Sequence, residues 1–138
     1  MYKVGGLFSG VGGIELGFKN QGFDIRWAND NDIHCSKTYK LNHKHKYILR
    51  DIHKLSASEL ESVDVMTGGF PCQAFSVAGY RKGLKDERGN LFFEILRLID
   101  EFDNPPKVLL EGLYANAVLS VSIYCLLYPA LLLAENVT

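Results

Sequence analysis

The chain has 138 residues, 47% of them apolar, and a formal net charge of −1. That length suits one modest domain, the apolar share suits a packed core rather than disorder, and the charge balance does not mark a general polyanion binder. Cys35, Cys72 and Cys125 are widely spaced with no CxxC pair, which argues against a disulfide framework and for a reducing, cytoplasmic setting.

Met1 to Gly6 shows no charged leader followed by an apolar run, so no signal peptide is expected. Tyr2 to Phe8 reads as a strand, and Gly10 to Gly13 as a glycine-rich turn. A short helix opens at Ile14, Leu16 and Phe18 and ends near Gly22. Phe23 to Ala28 reads as a second strand, followed by a helix through about Leu41 capped by Asn31 or Asp32. From Lys37 to Lys54 six Lys/Arg residues face Asp51 alone, a pattern shared by solvated faces and phosphate-facing surfaces. His34, Cys35, His43, His45 and His53 cluster in the same region, but their spacing fits no zinc pattern and no metal is expected.

Tyr47 to Leu49 reads as a short strand, Ser56 with Glu59 as a capping box, and Val63 to Thr67 as another strand. Residues 70–88 form a polar loop. Asn90 to Phe102 carries an apolar stripe of Leu91, Ile95, Leu98, Ile99 and Phe102, and after Pro105-Pro106 a strand starts at Lys107. Alternation of this kind predicts an α/β fold, a doubly wound parallel sheet with ligands bound at the carboxyl ends of its strands.

Three motifs fall at such ends. In Phe8-Ser9-Gly10-Val11-Gly12-Gly13 the glycines allow a tight turn at a helix amino-terminus. A dinucleotide fingerprint would place Gly or Ala three residues after Gly12, where this chain has Glu15. That disfavours a nicotinamide-dependent dehydrogenase and favours a nucleoside without a pyrophosphate; a purely structural glycine turn remains open. Asp30, twenty residues beyond Gly10, is placed to accept from ribose hydroxyls, or else to cap the following helix. Asp51-Ile52 offers an acceptor for an adenine amino group and an apolar face for the ring. The third motif, Gly69-Phe70-Pro71-Cys72-Gln73, holds one thiol beside a proline that presets its direction. Once ionised, that thiol is a strong nucleophile.

Together Phe8 to Gly13, Asp51-Ile52 and Gly69 to Gln73 resemble the early motifs of the DNA (cytosine-5-)-methyltransferases in order and spacing, and Gly89-Asn90-Leu91-Phe92-Phe93 is similar to that family's next helix start. The resemblance spans residues 1 to about 110. It implies an S-adenosylmethionine-dependent, Rossmann-like methyltransferase fold, with Cys72 attacking C6 of a cytosine flipped from double-stranded DNA. It implies S-adenosylmethionine held by Phe8, Ser9, Gly10, Gly12, Asp30, Asp51, Ile52, Phe70 and Pro71. The loop Ser76 to Arg88, with Arg81, Lys82, Lys85 and Arg88, would close over the base and meet phosphates. The setting implied is a restriction-modification system in a prokaryotic cytoplasm.

The family's Glu-Asn-Val, whose glutamate contacts N3 of the cytosine, has two candidates. Glu135 keeps the triplet Glu135-Asn136-Val137, and Glu111 keeps the distance from Pro106-Lys107-Val108; Glu135 is preferred. Residues 111–138 form an aberrant apolar tail. Within it Leu113 to Ala134 has no charged residue over twenty-two positions, long enough for a bilayer span, although Asn116, Ser120, Ser122 and Pro129 speak against one. A core strand plus insertion, or a disrupted tail, are the other readings. Family segments beyond these motifs are expected to come from a complementing carboxy-terminal subunit, failing which the chain is an inactive remnant that binds only a nucleoside.

Overall fold

The computed structural model describes residues 1–69, 87–112 and 121–125. Its sheet contains β1 (Lys3–Leu7), β2 (Asp24–Asp30), β3 (Lys46–Leu49), β4 (Val65–Gly68), β5 (Val108–Gly112) and β6 (Val121–Cys125), in the spatial order β3-β2-β1-β4-β5-β6. The first five strands pair in parallel, and β6 runs antiparallel to β5. Helices α1 (Gly13–Asn20), α2 (Ile33–Asn42) and α3 (Glu87–Glu101) connect them, with 3-10 turns at Ile52–Lys54 and Ala57–Glu59. The chain steps outward from β1 to β3 and then returns to β4, so the strand order reverses between β1 and β4. A doubly wound sheet opens its ligand crevice at that reversal.

Each expected strand and helix through β5 is present, with ends shifted by a few residues. Asp32 is the cap of α2, its Oδ1 accepting from the amides of His34 at 2.6 Å and Cys35 at 3.2 Å. The Ser56–Glu59 capping box is formed, but on a single 3-10 turn. Helix α3 starts three residues before the expected Asn90, and Ile95, Leu98, Ile99 and Phe102 are buried as the periodicity requires. Of the uncharged stretch 113–134, the described part is the strand β6. Among the described residues no helix is long and apolar enough to cross a membrane.

The larger core packs Leu7, Trp27, Met66 and Leu109 of the sheet against α3 and against Ile52, Leu55 and Leu60 of the turns. Opposite lies a smaller cluster of Val4, Ile25 and Val65, with Phe18 and Phe23 stacked edge to face at 5.1 Å. Trp27 is fully buried, and its indole Nε1 donates to the Glu61 carbonyl at 2.8 Å. Its ring occupies the space a side chain at Gly5 would need, since a Cβ there would lie 2.2 Å from the indole. The ladder between β1 and β2 shifts register between Val4 and Gly5, where Gly5 comes opposite Trp27.

Behind α1 lies a polar aromatic cluster. Buried Tyr39 packs against the rings of His43 at 4.3 Å, Tyr47 at 4.6 Å and His45 at 5.4 Å, and its hydroxyl meets His45 Nε2. Desolvation pushes His45 down to about 4 and lowers His43 as well, so both imidazoles are neutral near pH 7.

Gly5→Ala forces a methyl group into the indole and is expected to destabilise the chain by about 1–3 kcal/mol, measured as a lower urea midpoint. An unchanged midpoint would contradict the close approach of β1 and Trp27. The histidines give a pH dependence. An unfolded His takes up its proton near 6.5, whereas folded His45 resists until about 4, so its stabilising contribution is complete above 6.5 and is lost as pH falls toward 4. The histidine contribution is therefore expected to be smaller at pH 5 than at pH 7, and His45→Gln to reduce the loss of stability between pH 7 and pH 5 by removing one of the two contributing imidazoles. An unchanged pH dependence in His45→Gln would overturn this.

Candidate functional site

Strand β1 runs into Phe8, whose φ of 54° is left-handed, a conformation a bulky residue holds only where its surroundings enforce it. Two contacts at Ser9 do so. Its amide donates to the Asn29 carbonyl at 3.0 Å, and its hydroxyl donates to Glu15 Oε1 at 2.6 Å. Glu15 is 1% exposed, and burial pushes its carboxyl above the usual range despite the Ser9 hydrogen bond.

The turn then closes on itself. Gly10 N donates to Asp30 Oδ2 at 2.8 Å, and Gly12 N to the Ser9 carbonyl at 2.9 Å. These amides are therefore occupied by groups of the chain, and Asp30 brings a negative charge to the place where a pyrophosphate would need donors. Gly12 has φ 94°, and a Cβ there would sit 2.3 Å from His43 Nε2 and 2.7 Å from Tyr39. Gly12 is thus required by its backbone conformation and by the packing of α2.

Asp30 ends β2. Its Oδ1 accepts from Asp32 N at 2.9 Å and its Oδ2 from Gly10 N, so it braces two loops and leaves the capping of α2 to Asp32. Each oxygen keeps a lone-pair site for a further donor. Asp51 caps the turn Ile52–Lys54, accepting at Oδ1 from the His53 amide at 3.0 Å and from His53 Nδ1 at 2.7 Å. The His53 amide, then its ring, hold the Asp51 carboxyl below its ordinary range. Buried Asn29 ties the neighbouring strand ends together, its Nδ2 donating to the carbonyls of Ile48 at 2.9 Å and Arg50 at 2.8 Å.

These elements enclose a cleft of about 330 Å³ lined by Phe8, Asn29, Asp30, Asn31, Arg50, Asp51, Ile52, His53, Gly69 and Leu91. Four residues expected from sequence, Phe8, Asp30, Asp51 and Ile52, meet there. Gly10 braces Asp30, while Ser9 and Gly12 are directed to internal contacts and do not line it. Phe70, Pro71, Cys72 and Glu135 lie outside the described residues, as does the expected basic loop through Asp86. The backbone of Glu111 is in β5, paired with Gly68 at the end of β4.

Sequence reasoning missed the lining roles of Asn29, Asn31, Arg50 and His53. Neighbouring Asp30 and Asp51 were the available signal for them. Leu91 was read only as part of an apolar helix face, and Glu15 only as a break in a fingerprint.

Among the described residues no three His, Cys, Asp or Glu side chains gather as a metal site. Half of the basic run is engaged within the chain. Lys40 lies over the Tyr47 ring at 5.7 Å, Lys46 Nζ donates to the Glu59 carbonyl at 2.9 Å, and Arg50 pairs with Glu59.

Comparison with known proteins agrees with this geometry. The chain is 50% identical over 101 residues to the Type II methyltransferase M.Bsp6I of Bacillus sp. (strain RFL6), which covers 72% of this chain and 32% of that protein. It is 44% identical over 99 residues to the Type II methyltransferase M.FnuDI of Fusobacterium nucleatum, covering 72% of this chain and 29% of the relative. The chain thus spans about a third of the length of these curated relatives. Among solved structures, the Dnmt2 methyltransferase of S. pombe superposes with a TM-score of 0.66 at 28% identity, over 84% of this chain and 37% of that one. The model of the family described as C-5 cytosine-specific DNA methylase matches residues 2–112. The chain belongs to the C-5 cytosine-specific DNA methylase family.

Proposed function

We propose that the chain is the cofactor-binding and nucleophile-bearing part of a DNA (cytosine-5-)-methyltransferase acting in a bacterial restriction-modification system. The observation that carries this is the cleft. It sets two carboxylates, Asp30 and Asp51, around apolar Phe8, Ile52 and Leu91, and its edge residue Gly69 is three positions before Cys72. Three residues of chain reach roughly 11 Å at full extension, so the chain connectivity keeps the Cys72 backbone within that distance of a lining residue.

The residues present fit S-adenosylmethionine. A glycine turn whose amides serve Ser9 and Asp30 suits a nucleoside without phosphates. In this reading Asp30 accepts from the ribose hydroxyls and Asp51 from the adenine amino group. Ile52, Leu91 and Phe8 flank the ring, while Ser9, Gly10, Gly12, Phe70 and Pro71 shape the surrounding loops. When bound, the cofactor supplies an electrophilic methyl group.

The remaining chemistry belongs to the chain. The Cys72 thiolate adds to C6 of the cytosine, forming the Sγ–C6 bond and making C5 nucleophilic. A glutamate hydrogen-bonded at N3 stabilises the charge that develops on the ring. After C5 is methylated, loss of its proton expels the thiolate and restores the double bond.

The sequence favours Glu135 for the glutamate. The pairing of Glu111 with Gly68, one strand from the Cys72 loop, and a family match that ends at residue 112 support Glu111 instead. Because the target base is stacked in a duplex, it must be flipped out, and the loop Ser76 to Arg88 would close behind it. Double-stranded DNA, a complementing carboxy-terminal polypeptide and a cytoplasmic location complete the proposal. The alternative is an inactive remnant that retains nucleoside binding.

Titration of the chain with S-adenosylhomocysteine is expected to show binding that Asp30→Ala weakens about tenfold or more, the loss of a hydrogen bond to a charged group. NAD is expected not to bind, and saturable NAD binding would reverse the assignment. Cys72→Ser is expected to abolish methyl transfer to a cytosine-containing duplex in whichever assembly is active, the chain alone or the chain with a polypeptide carrying the remaining family segments. Affinity for S-adenosylhomocysteine should stay within about twofold, since Cys72 acts on the base. Retained transfer by that variant removes Cys72 as nucleophile, and absence of transfer from every assembly selects the remnant.

A further inference from the structure

We infer that Arg97 is a positioning residue for the adenine side of the cleft, acting through the turn that carries Asp51 and Ile52; the inference rests on the nucleoside reading above. Arg97 lies on α3 and is not among the residues lining the cleft. Its Nη2 donates to two main-chain carbonyls, Ile52 at 2.9 Å and Leu55 at 3.1 Å, at the start and just past the end of the 3-10 turn. Its other nitrogens are held on its own helix, Nε by Glu94 at 2.7 Å and Nη1 by Glu101. The guanidinium is therefore fixed in direction before it meets the turn. Glu101 extends the grip, Oε2 accepting from the Ala57 amide at 3.0 Å and the Ser56 hydroxyl at 3.3 Å.

The same helix places Leu91 in the cleft, opening a route by which α3 sets two parts of the site at once. Leu91 enters directly, while Ile52 and Asp51 are held through the carbonyls that Arg97 grips. Within the turn only short-range bonds act, Lys54 N to the Asp51 carbonyl at 3.0 Å and Leu55 N to the Ile52 carbonyl at 3.1 Å. They close the turn; Ile52 and Leu55 also pack in the core beside Ile95, Leu98 and Ile99 of α3, and the Arg97 bonds add the polar tie that fixes the direction of its carbonyls. Arginine suits this task because its planar fork can serve two carbonyls and two carboxylates together, which a lysine ammonium cannot.

A role confined to stability would weaken every ligand alike, whereas a role through Asp51 must change which base is preferred. The test compares S-adenosylhomocysteine with S-inosylhomocysteine, in which a carbonyl oxygen replaces the adenine amino group. The unsubstituted chain is expected to prefer the adenosyl ligand by about tenfold or more, because the inosyl oxygen cannot donate to Asp51. Arg97→Lys is expected to lower that preference about fivefold or more. Once Asp51→Ala has removed the preference, Arg97→Lys is expected to change the ratio no further, the non-additivity that residues acting as one unit show. A preference retained in Arg97→Lys overturns the inference, whatever happens to the urea midpoint.

Should Arg97→Lys fail to fold, Glu94→Ala removes the acceptor of Nε and leaves the guanidinium in place. It is expected to lower the preference by about twofold to threefold, and no change overturns the inference. Hydrogen exchange at the amides of Lys54 and Leu55 reads the clamp without ligand and is expected to accelerate about tenfold in the variant that folds, with β1 and β4 unaffected. Failure of the unsubstituted chain to bind either ligand refutes the nucleoside reading, and unchanged exchange refutes the clamp.

Discussion

The centre of this sheet depends on the bareness of β1 at Gly5 and Gly6. A Cβ on Gly5 would strike the Trp27 indole at 2.2 Å, and one on Gly6 would strike Glu15 Oε1 at 2.0 Å and Ser9 Oγ at 2.6 Å. Neighbouring positions on a strand face opposite sides, so the two glycines admit a large group on each side of the sheet. On one side the indole joins β2 to α3 and the turns after β3 in the larger core. On the other, Glu15 comes within reach of Ser9 and holds it. The left-handed Phe8 follows from how Ser9 is held, and the Asp30 brace on Gly10 follows from where the turn then lies. The cleft is built outward from a strand that gives up side chains to make room.

Glu15 shows why that construction suits the nucleoside proposed for the cleft. Burying a carboxyl costs free energy, which the chain limits by a hydrogen bond from Ser9 and by a raised pKa. With Asp30 nearby, the underside of the turn is a poor place for a second anionic group. The turn keeps the shape of a phosphate-binding loop while its amides serve carbonyl and carboxylate oxygens of the chain. Beside Asn31, Arg50 and His53, the cleft presents the carboxylates of Asp30 and Asp51 and the apolar faces of Phe8, Ile52 and Leu91, which suit the hydroxyl and amino donors of the proposed nucleoside.

Much of this was legible in the sequence, for identifiable reasons. Strand and helix order followed from alternating apolar runs, and Asp30 and Asp51, which line the cleft, were singled out because strand ends followed by turns are where a doubly wound sheet presents ligands. Gly12 was found for an incomplete reason. A glycine in a turn signals freedom or crowding, and only its contacts with His43 and Tyr39 show crowding as part of the answer. Ser9 lies within the motif, yet its hydroxyl turns inward because Glu15 is buried beneath it. Arg97 could not be read at all. Its partners at the turn are carbonyl oxygens 45 and 42 positions away, and a main-chain acceptor leaves no trace in residue identity.

The uncharged stretch after β5 illustrates how composition underdetermines structure. Twenty-two positions without a charge satisfy the length of a bilayer-spanning helix, and they equally suit a strand shielded inside a sheet. Hydrogen-bond accounting separates the two. A spanning helix must satisfy its backbone within itself, but Val121 to Cys125 pair with Gly112 back to Val108 across an antiparallel ladder. Because β5 also pairs with β4, which adjoins the central strand, this part of the stretch is an extension of the same sheet. The pairing also covers the β5 edge, whose amides and carbonyls would otherwise invite association with another chain. The uncharged character of these five positions is therefore consistent with a place in the sheet that holds the cleft, and it requires no bilayer to explain it.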